Sequence, residues 1–311
     1  MSYSNLKESV HVVANAGWDE RITVVRCGEI VDAYVVATER YVVFVDTLIN
    51  LPTADALLAL AAPLLTPGRQ LMVLNSHADW DHCWGNGRFA GPGATHPAPI
   101  LAHRLAAERL RSPAASAELA ELRGKRPGRY DDVLLVAPNI LFDDRLALDG
   151  GDLTLELFAT PGHQPDHVSV WIPELRTLLA GDAAESPFPF ATSAEALPIL
   201  RRSLGRMRDL APAQALYCHA PETIGPALLD HNVAYFDGLE ACCATALARG
   251  VTPADVVAAE GADRETLVAF PFGDAVPAGN IPDELPSFYR AGHQAHISLM
   301  VEWLARDGGD G

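Results

Sequence analysis

The sequence predicts an α/β fold made of two similar halves followed by a helical extension. Three observations predict it. Short Val-rich runs alternate with helical patterns in the order strands–helix–strand, that order occurs twice, and beyond residue 222 only helical patterns follow. A chain of 311 residues with 49% hydrophobic and 20% charged residues can bury a substantial core. The expected division is an α/β domain over residues 1–222 and a helical extension over 223–311, packed on the same domain.

The elements follow in order. Residues 22–26, 33–37 and 41–46 are Val-rich runs separated by turn residues, which predicts antiparallel strands, the last ending at Asp46-Thr47. Residues 53–65 (TADALLALAAPLL) carry apolar side chains at helical spacing, with Thr53 placed to cap them and Gly68 to end them. Residues 71–74 form a short buried strand that runs straight into Asn75-Ser76-His77. Residues 101–123 are helical in pattern, and 124–139, rich in Gly, Arg, Asp and Pro, predict an exposed loop bordering a cleft. Asp149-Gly150-Gly151 is a hairpin turn between strands at 145–148 and 153–159. Strands at 168–172 and 177–180, a helix at 193–210 and a strand at 215–218 complete the second half. Helices at 224–249, 252–260 and 286–305 follow, with Thr252-Pro253 as a helix start and a proline-rich loop at 270–286.

Charge and cysteine usage exclude several function classes. A net charge of -17 repels a phosphate backbone, which argues against nucleic acid as a partner and for a small-molecule substrate. The first residues contain no long apolar run, so no signal peptide is expected. No stretch approaches the roughly 20 apolar residues of a membrane span. Five scattered cysteines, an odd number, fit reduced thiols and a cytoplasmic location. Pairing with a second copy as a homodimer stays open.

The chemistry concentrates at strand ends. His77-Ala78-Asp79-Trp80-Asp81-His82 places imidazoles and carboxylates on a loop, where they can wrap a cation as a helix or strand cannot; the donor set suits Zn²⁺, Mn²⁺ or Fe²⁺. Thr160-Pro161-Gly162-His163, Ala180-Gly181-Asp182 and Tyr217-Cys218-His219 each follow a predicted strand, so the four stations can converge beyond one sheet edge.

This ordered set resembles the metallo-β-lactamase superfamily, with Asp79 standing where the family motif has its second histidine. Val45-Asp46-Thr47 resembles a further element, an aspartate that supports the site without binding the metal. The resemblance implies an αββα sandwich of two mixed β-sheets flanked by helices, and a binuclear metal-dependent hydrolase. His77, Asp79 and His163 would bind one divalent ion, Asp81, His82 and His219 the other, and Asp182 would bridge them. Zn²⁺ is the expected metal, although a third carboxylate favours harder cations such as Mn²⁺ or Fe²⁺. A hydroxide shared by the two ions would attack an ester, thioester, lactone or amide carbonyl, with Asp81 as the catalytic proton carrier. The alternatives are an iron-containing redox enzyme, a phosphodiesterase or nuclease, and a metal-poor binding protein. The remaining candidates have plainer readings. His167 supports the site or meets substrate. His96, His103, His231, His293 and His296 are surface or packing residues, Cys83, Cys218, Trp80 and Trp84 pack, and Arg201, Arg202, Arg206 and Arg208 form a solvated face.

Overall fold

The computed structural model describes residues 8–220, 225–276 and 286–307. A seven-stranded sheet runs in chain order: β1 (Val10–Val12), β2 (Ile22–Cys27), β3 (Val31–Ala37), β4 (Tyr41–Val45), β5 (Gln70–Leu74), β6 (Ile100–His103) and β7 (Ile140–Phe142). Its first four strands pair antiparallel; β4 through β7 pair parallel. The second sheet has the order β12 (Gln214–Leu216), β11 (Thr177–Leu179), β10 (Val168–Ile172), β9 (Thr154–Ala159), β8 (Arg145–Asp149). Both sheets are mixed and helices flank them, the arrangement expected from the sequence.

Alternation along the second sheet explains how two cores form. Side chains of successive strand residues point to opposite faces. Leu157, Val170, Ile172, Leu179 and Leu216 enter the core shared with the first sheet. Their neighbours Phe158, Trp171, Leu178 and Ala215 enter a second core. Helices cover that outer face: α5 (Ala196–Asp209), α6 (Ala227–Ala248) and α10 (Pro286–Asp307) contribute Leu197, Leu200, Phe236, Leu239, Ile297 and Val301 to it. The predicted hairpin turn is present, with Gly151 at φ 97° and its N–H donated to Asp149 Oδ1 at 2.9 Å.

Several elements differ from expectation for local reasons. α1 spans Leu51–Ala61 and is capped by Asn50, whose side chain accepts from the Thr53 N–H; Thr53 returns the contact in a capping box and is not itself the cap. The expected 101–123 helix is three elements: β6, then α3 (Arg104–Leu110) and α4 (Pro113–Lys125). Ser112 caps α4 and Pro113 occupies its first turn, a break signal that the apolar periodicity masks. The expected strand at 215–218 ends at Leu216. The three-residue strands β1 and β7 and helix α8 (Ala262–Val268) have no counterpart in the sequence reading, and the loop expected at 270–286 contains α9 (Phe272–Ala275). Helix α7 (Pro253–Ala258) begins at the predicted Thr252-Pro253 start. The remainder of that loop, the predicted helix start at 224, the boundary at 222/223 and the first seven residues lie outside the described residues. Among described residues no helix is long and apolar enough to cross a membrane.

Candidate metal centre

Every station lies just past a strand end. The strands β4 and β5 are parallel and deliver Asp46 and the His77–His82 segment, which is not all loop as expected: Asp79 starts the short helix α2 (Trp80–Cys83), and Asp81 and His82 stand within it. In the other sheet β9, β11 and β12 share one direction and deliver His163, Asp182 and His219 to the same edge. The edges are stitched by backbone hydrogen bonds, Val168 N–H to Ser76 O (2.8 Å) and Asp32 N–H to Cys218 O (2.9 Å).

The Asp182 carboxylate is the hub. Its Oδ2 stands 3.2 Å from His82 Nε2, 3.3 Å from His219 Nε2, and 3.6 Å from both His77 Nε2 and His163 Nε2. Asp81 adds a carboxylate 3.6 Å from His219 Nε2 and 3.9 Å from His82 Nε2. Asp79 Oδ2 lies 3.3 Å from His163 Nε2 and 3.4 Å from His77 Nε2. Ligating atoms of His77, His163 and Asp182 fall within 4.8 Å of one another, as do those of Asp81, His82 and His219. All seven sequence candidates are therefore brought together.

Hydrogen bonds behind the rings set their tautomers. Asp46, buried at φ 72°, accepts from His82 Nδ1 (2.8 Å), the Ser76 N–H (2.7 Å) and the Ser76 hydroxyl (2.7 Å). With its proton on Asp46, the Ser76 oxygen can only accept from His77 Nδ1, at 2.9 Å. His163 Nδ1 donates to the Phe190 carbonyl at 3.1 Å. Each of these three rings has its Nδ1 proton fixed from behind, so Nε2 is the nitrogen turned inward, and its lone pair is the one a cation would take in place of a proton. Among the buried side-chain atoms without a hydrogen-bond partner are His77 Nε2, His82 Nε2 and Asp182 Oδ1. Buried polar atoms are rarely left unpaired. Three orphaned atoms on side chains of one cluster, with more imidazole and carboxylate donors around them, fit divalent cations.

Electrostatics agree with that fit. Burial disfavours charge on His219, but the Asp182 carboxylate outweighs it and lifts the imidazole to about 10. His163, pushed down by burial and up by Asp79, reaches about 9. Burial likewise opposes the Asp182 charge, yet His82 and His219 hold its carboxyl well below the usual range. The pocket therefore stabilises positive charge, carried on the rings as protons.

His167 does not face the cluster with a free nitrogen. Its Nδ1 bonds the Thr160 hydroxyl (2.8 Å) and its Nε2 accepts the Asp182 N–H (2.9 Å), so it positions the hub residue. His103 ends β6 and caps α3, and His293 and His296 are buried against Tyr235 in the helical core. Trp84 packs on Tyr130, with ring centroids 5.3 Å apart. The Cys218 thiol, 3.8 Å from the Tyr34 hydroxyl, is held protonated by burial. The arginine face is less solvated than expected, because Arg201 pairs with Asp237 and Glu240 on α6 and Arg206 lies over the Phe158 ring.

Two contributors escaped the sequence reading. Arg109 on α3 bonds Asp79 and Asp166. Glu185, three residues after Asp182, is buried with its carboxyl raised to about 7 by burial, and accepts from the Tyr289 hydroxyl of α10 at 2.7 Å. Neither residue has spacing that marks it; only the Asp182 loop's proline-rich continuation hints that its backbone is fixed.

Comparison with known proteins agrees with this fold. The metallo-beta-lactamase superfamily profile matches residues 28–230. A metallo-beta-lactamase family protein from Thermus thermophilus superposes with TM-score 0.59 at 21% identity, covering 96% of this chain and 93% of its own. A metallo-beta-lactamase from Pontibacter korlensis gives 0.54 at 16%, covering 74% and 99%. A double mutant of a sec-alkyl sulfatase gives 0.58 at 19%, covering 86% and 51%. The Caenorhabditis elegans beta-lactamase-like protein 2 homolog is 38% identical over 76 residues, which span 24% of each chain. Members of the matched family are typically metal-dependent hydrolases, and the clustered histidines and aspartates support that general activity here. With the profile spanning β3 through β12 and all four stations, the chain belongs to the metallo-β-lactamase superfamily.

Proposed function

We propose that this protein is a cytoplasmic, binuclear zinc hydrolase of a small ester, thioester, lactone or amide. The observation that supports it is the Asp182 carboxylate lying 3.2–3.6 Å from four imidazole Nε2 atoms, of which those of His77 and His82 are buried without a hydrogen-bond partner. His77, Asp79 and His163 would hold one cation, Asp81, His82 and His219 the other, and Asp182 both. Bound cations would supply Lewis acidity toward a substrate oxygen and would lower the pKa of a water toward neutrality.

The chain's own residues do the rest. Ser76, Asp46 and the Phe190 carbonyl hold the rings in one tautomer. His77 and His82 are sealed, whereas Asp79, Asp81, His163 and His219 keep 11 to 22% of their side chains exposed, so substrate approaches from their side. Asp81, at that opening, orients water, takes its proton and returns it to the leaving group. The Cys83 and Cys218 thiols, pushed well up by burial, supply no nucleophile.

Elemental analysis of purified wild type and Asp182→Ala tests the site, and turnover of a chromogenic thioester, lactone and phosphodiester tests the substrate class. The expected result is about two zinc ions per chain, falling in the variant, with carbonyl substrates preferred. Protein that takes up no divalent metal, holds iron with redox activity, or prefers the phosphodiester would refute the reading.

A further inference from the structure

The departure at Asp79 is matched by a structure built around it. Asp79 offers two oxygens with different surroundings. Oδ2 faces the cluster, near His77 and His163, and also accepts from Gln164 Nε2 at 2.9 Å. Oδ1 turns away and takes Arg109 Nη2 at 2.5 Å. The other terminal nitrogen of Arg109 bonds Asp166 Oδ1, and the second oxygen of the fully buried Asp166 accepts the Ala78 N–H at 2.8 Å. Ala78 precedes Asp79, so the contacts close a ring: Asp79 carboxylate, Arg109, Asp166, Ala78 amide and back along the chain. A planar guanidinium can span two carboxylates in this way; an ammonium cannot hold both in fixed directions.

We propose that Arg109 is a positioning residue that lets an aspartate do the work of an imidazole in this metal centre. Its bond occupies Oδ1 and leaves Oδ2, which Gln164 also steadies, as the one oxygen turned toward the cluster, so Asp79 presents a single atom there, as a histidine would. It also draws the carboxylate's charge toward Oδ1 and leaves Oδ2 a weaker anionic donor. Because Asp166 balances the charge of Arg109, the group as a whole still carries the charge of one carboxylate. The inference rests on the reading of Asp79 as a ligand.

The test separates the two ideas. Metal-stripped wild type, Asp79→Ala, Asp79→His, Arg109→Met, Arg109→Lys and the Asp79→His/Arg109→Met double variant are titrated with Zn²⁺ and Co²⁺ against a chromogenic chelator. Visible spectra of the Co²⁺ forms report coordination. Urea unfolding of each metal-free protein identifies variants that have lost structure. If Arg109→Met does not fold because Asp166 is left unpaired, Arg109→Met/Asp166→Asn replaces it. Arg109→Met is expected to weaken one site about 10–100-fold and alter the Co²⁺ spectrum, the range typical of residues that orient ligands. Arg109→Lys is expected to weaken it too while folding normally. In the Asp79→His background the Arg109→Met change should be nearly silent, since an imidazole needs no such partner. Equal losses in both backgrounds, or a folded Arg109→Met protein with wild-type affinity and spectrum, overturn the proposal. Were Asp79→Ala to retain both sites at full affinity, the ligand reading would fall first and the proposal with it.

Discussion

Asp46→Asn isolates what tautomer control contributes. The wild-type carboxylate accepts three bonds at 2.7, 2.7 and 2.8 Å from Ser76 N–H, Ser76 Oγ and His82 Nδ1. Asparagine fits the left-handed backbone at φ 72°, so backbone strain is not added. The Ser76 backbone N–H dictates the amide's orientation, because only the amide oxygen can accept from it. The NH₂ group then faces His82 Nδ1 and Ser76 Oγ. His82 must accept at Nδ1 and move its own proton to Nε2, which aims it at Asp182 and closes the lone pair meant for a cation. Bonds to a buried charge contribute about 1.5–3 kcal/mol each, and two of the three are lost, so the metal-free protein should lose about 3–6 kcal/mol. Affinity at the site containing His82 should fall about 10–100-fold. Urea unfolding of the stripped protein reads the first number and chelator competition the second. Two cations bound at wild-type affinity in Asp46→Asn would refute the tautomer argument, however large the stability change.

Other perturbations have equally definite outcomes. In chelator-treated protein, His163 and His219 titrate at about 9 and 10 against roughly 6.5 unfolded. Their contribution to stability is complete below pH ~6.5 and is lost as pH rises through 9–10, so the urea midpoint should fall across that window. Cation uptake at neutral pH should release protons, read by calorimetry in buffers of different ionisation enthalpy; uptake without release contradicts the assignment. Gly162→Ala places a methyl 2.4 Å from the Leu200 Cα at φ 135°, and should destabilise by about 2–4 kcal/mol by denaturant unfolding. A loss too small to measure would mean α5 is not seated against the His163 turn. Tyr289→Phe removes a donor that favours ionised Glu185, raising that carboxyl above about 7. The variant should match wild type near pH 5 and be less stable by about 1 kcal/mol near pH 8; an equal deficit at both pH values would rule out the charge-linked role.

Legibility followed whether information was local. The strands were readable because Val-rich runs such as Val42–Val45 are buried and turns bound them. The site stations were readable because each is a short polar word immediately after such a run. What escaped depends on distance along the chain. Arg109 sits 30 residues from Asp79 and 57 from Asp166, on a helix whose outward pattern is ordinary. The four-residue strand β6 was absorbed into a helix because Leu101, Ala102 and Leu105 also satisfy helical spacing; only its parallel pairing with β5 and β7 decides the matter. Glu185 owes its environment to α10, more than 100 residues later.

These contacts explain why the centre belongs to neither sheet alone. His77, Asp81 and His82 hang from the first sheet, whereas His163, Asp182 and His219 hang from the second, and no single strand positions both halves. The stitches that align them are fixed by backbone and a buried side chain, Ser76 O with Val168 N–H and Asp166 with Ala78 N–H, while within the second sheet His167 accepts the Asp182 N–H. Gly181 is required in the last of these, since a Cβ there would lie 2.6 Å from His167 Nε2. Registration of the sheets thus sets the spacing of the donors. Cations bound across the seam would favour the registered state over any slipped one, by about 2.7 kcal/mol for each site held at a hundred times its dissociation constant. An aspartate at position 79 is compatible with that coupling because its partners, Arg109 and Asp166, anchor to both sides: α3 follows a strand of the first sheet, and Asp166 precedes a strand of the second.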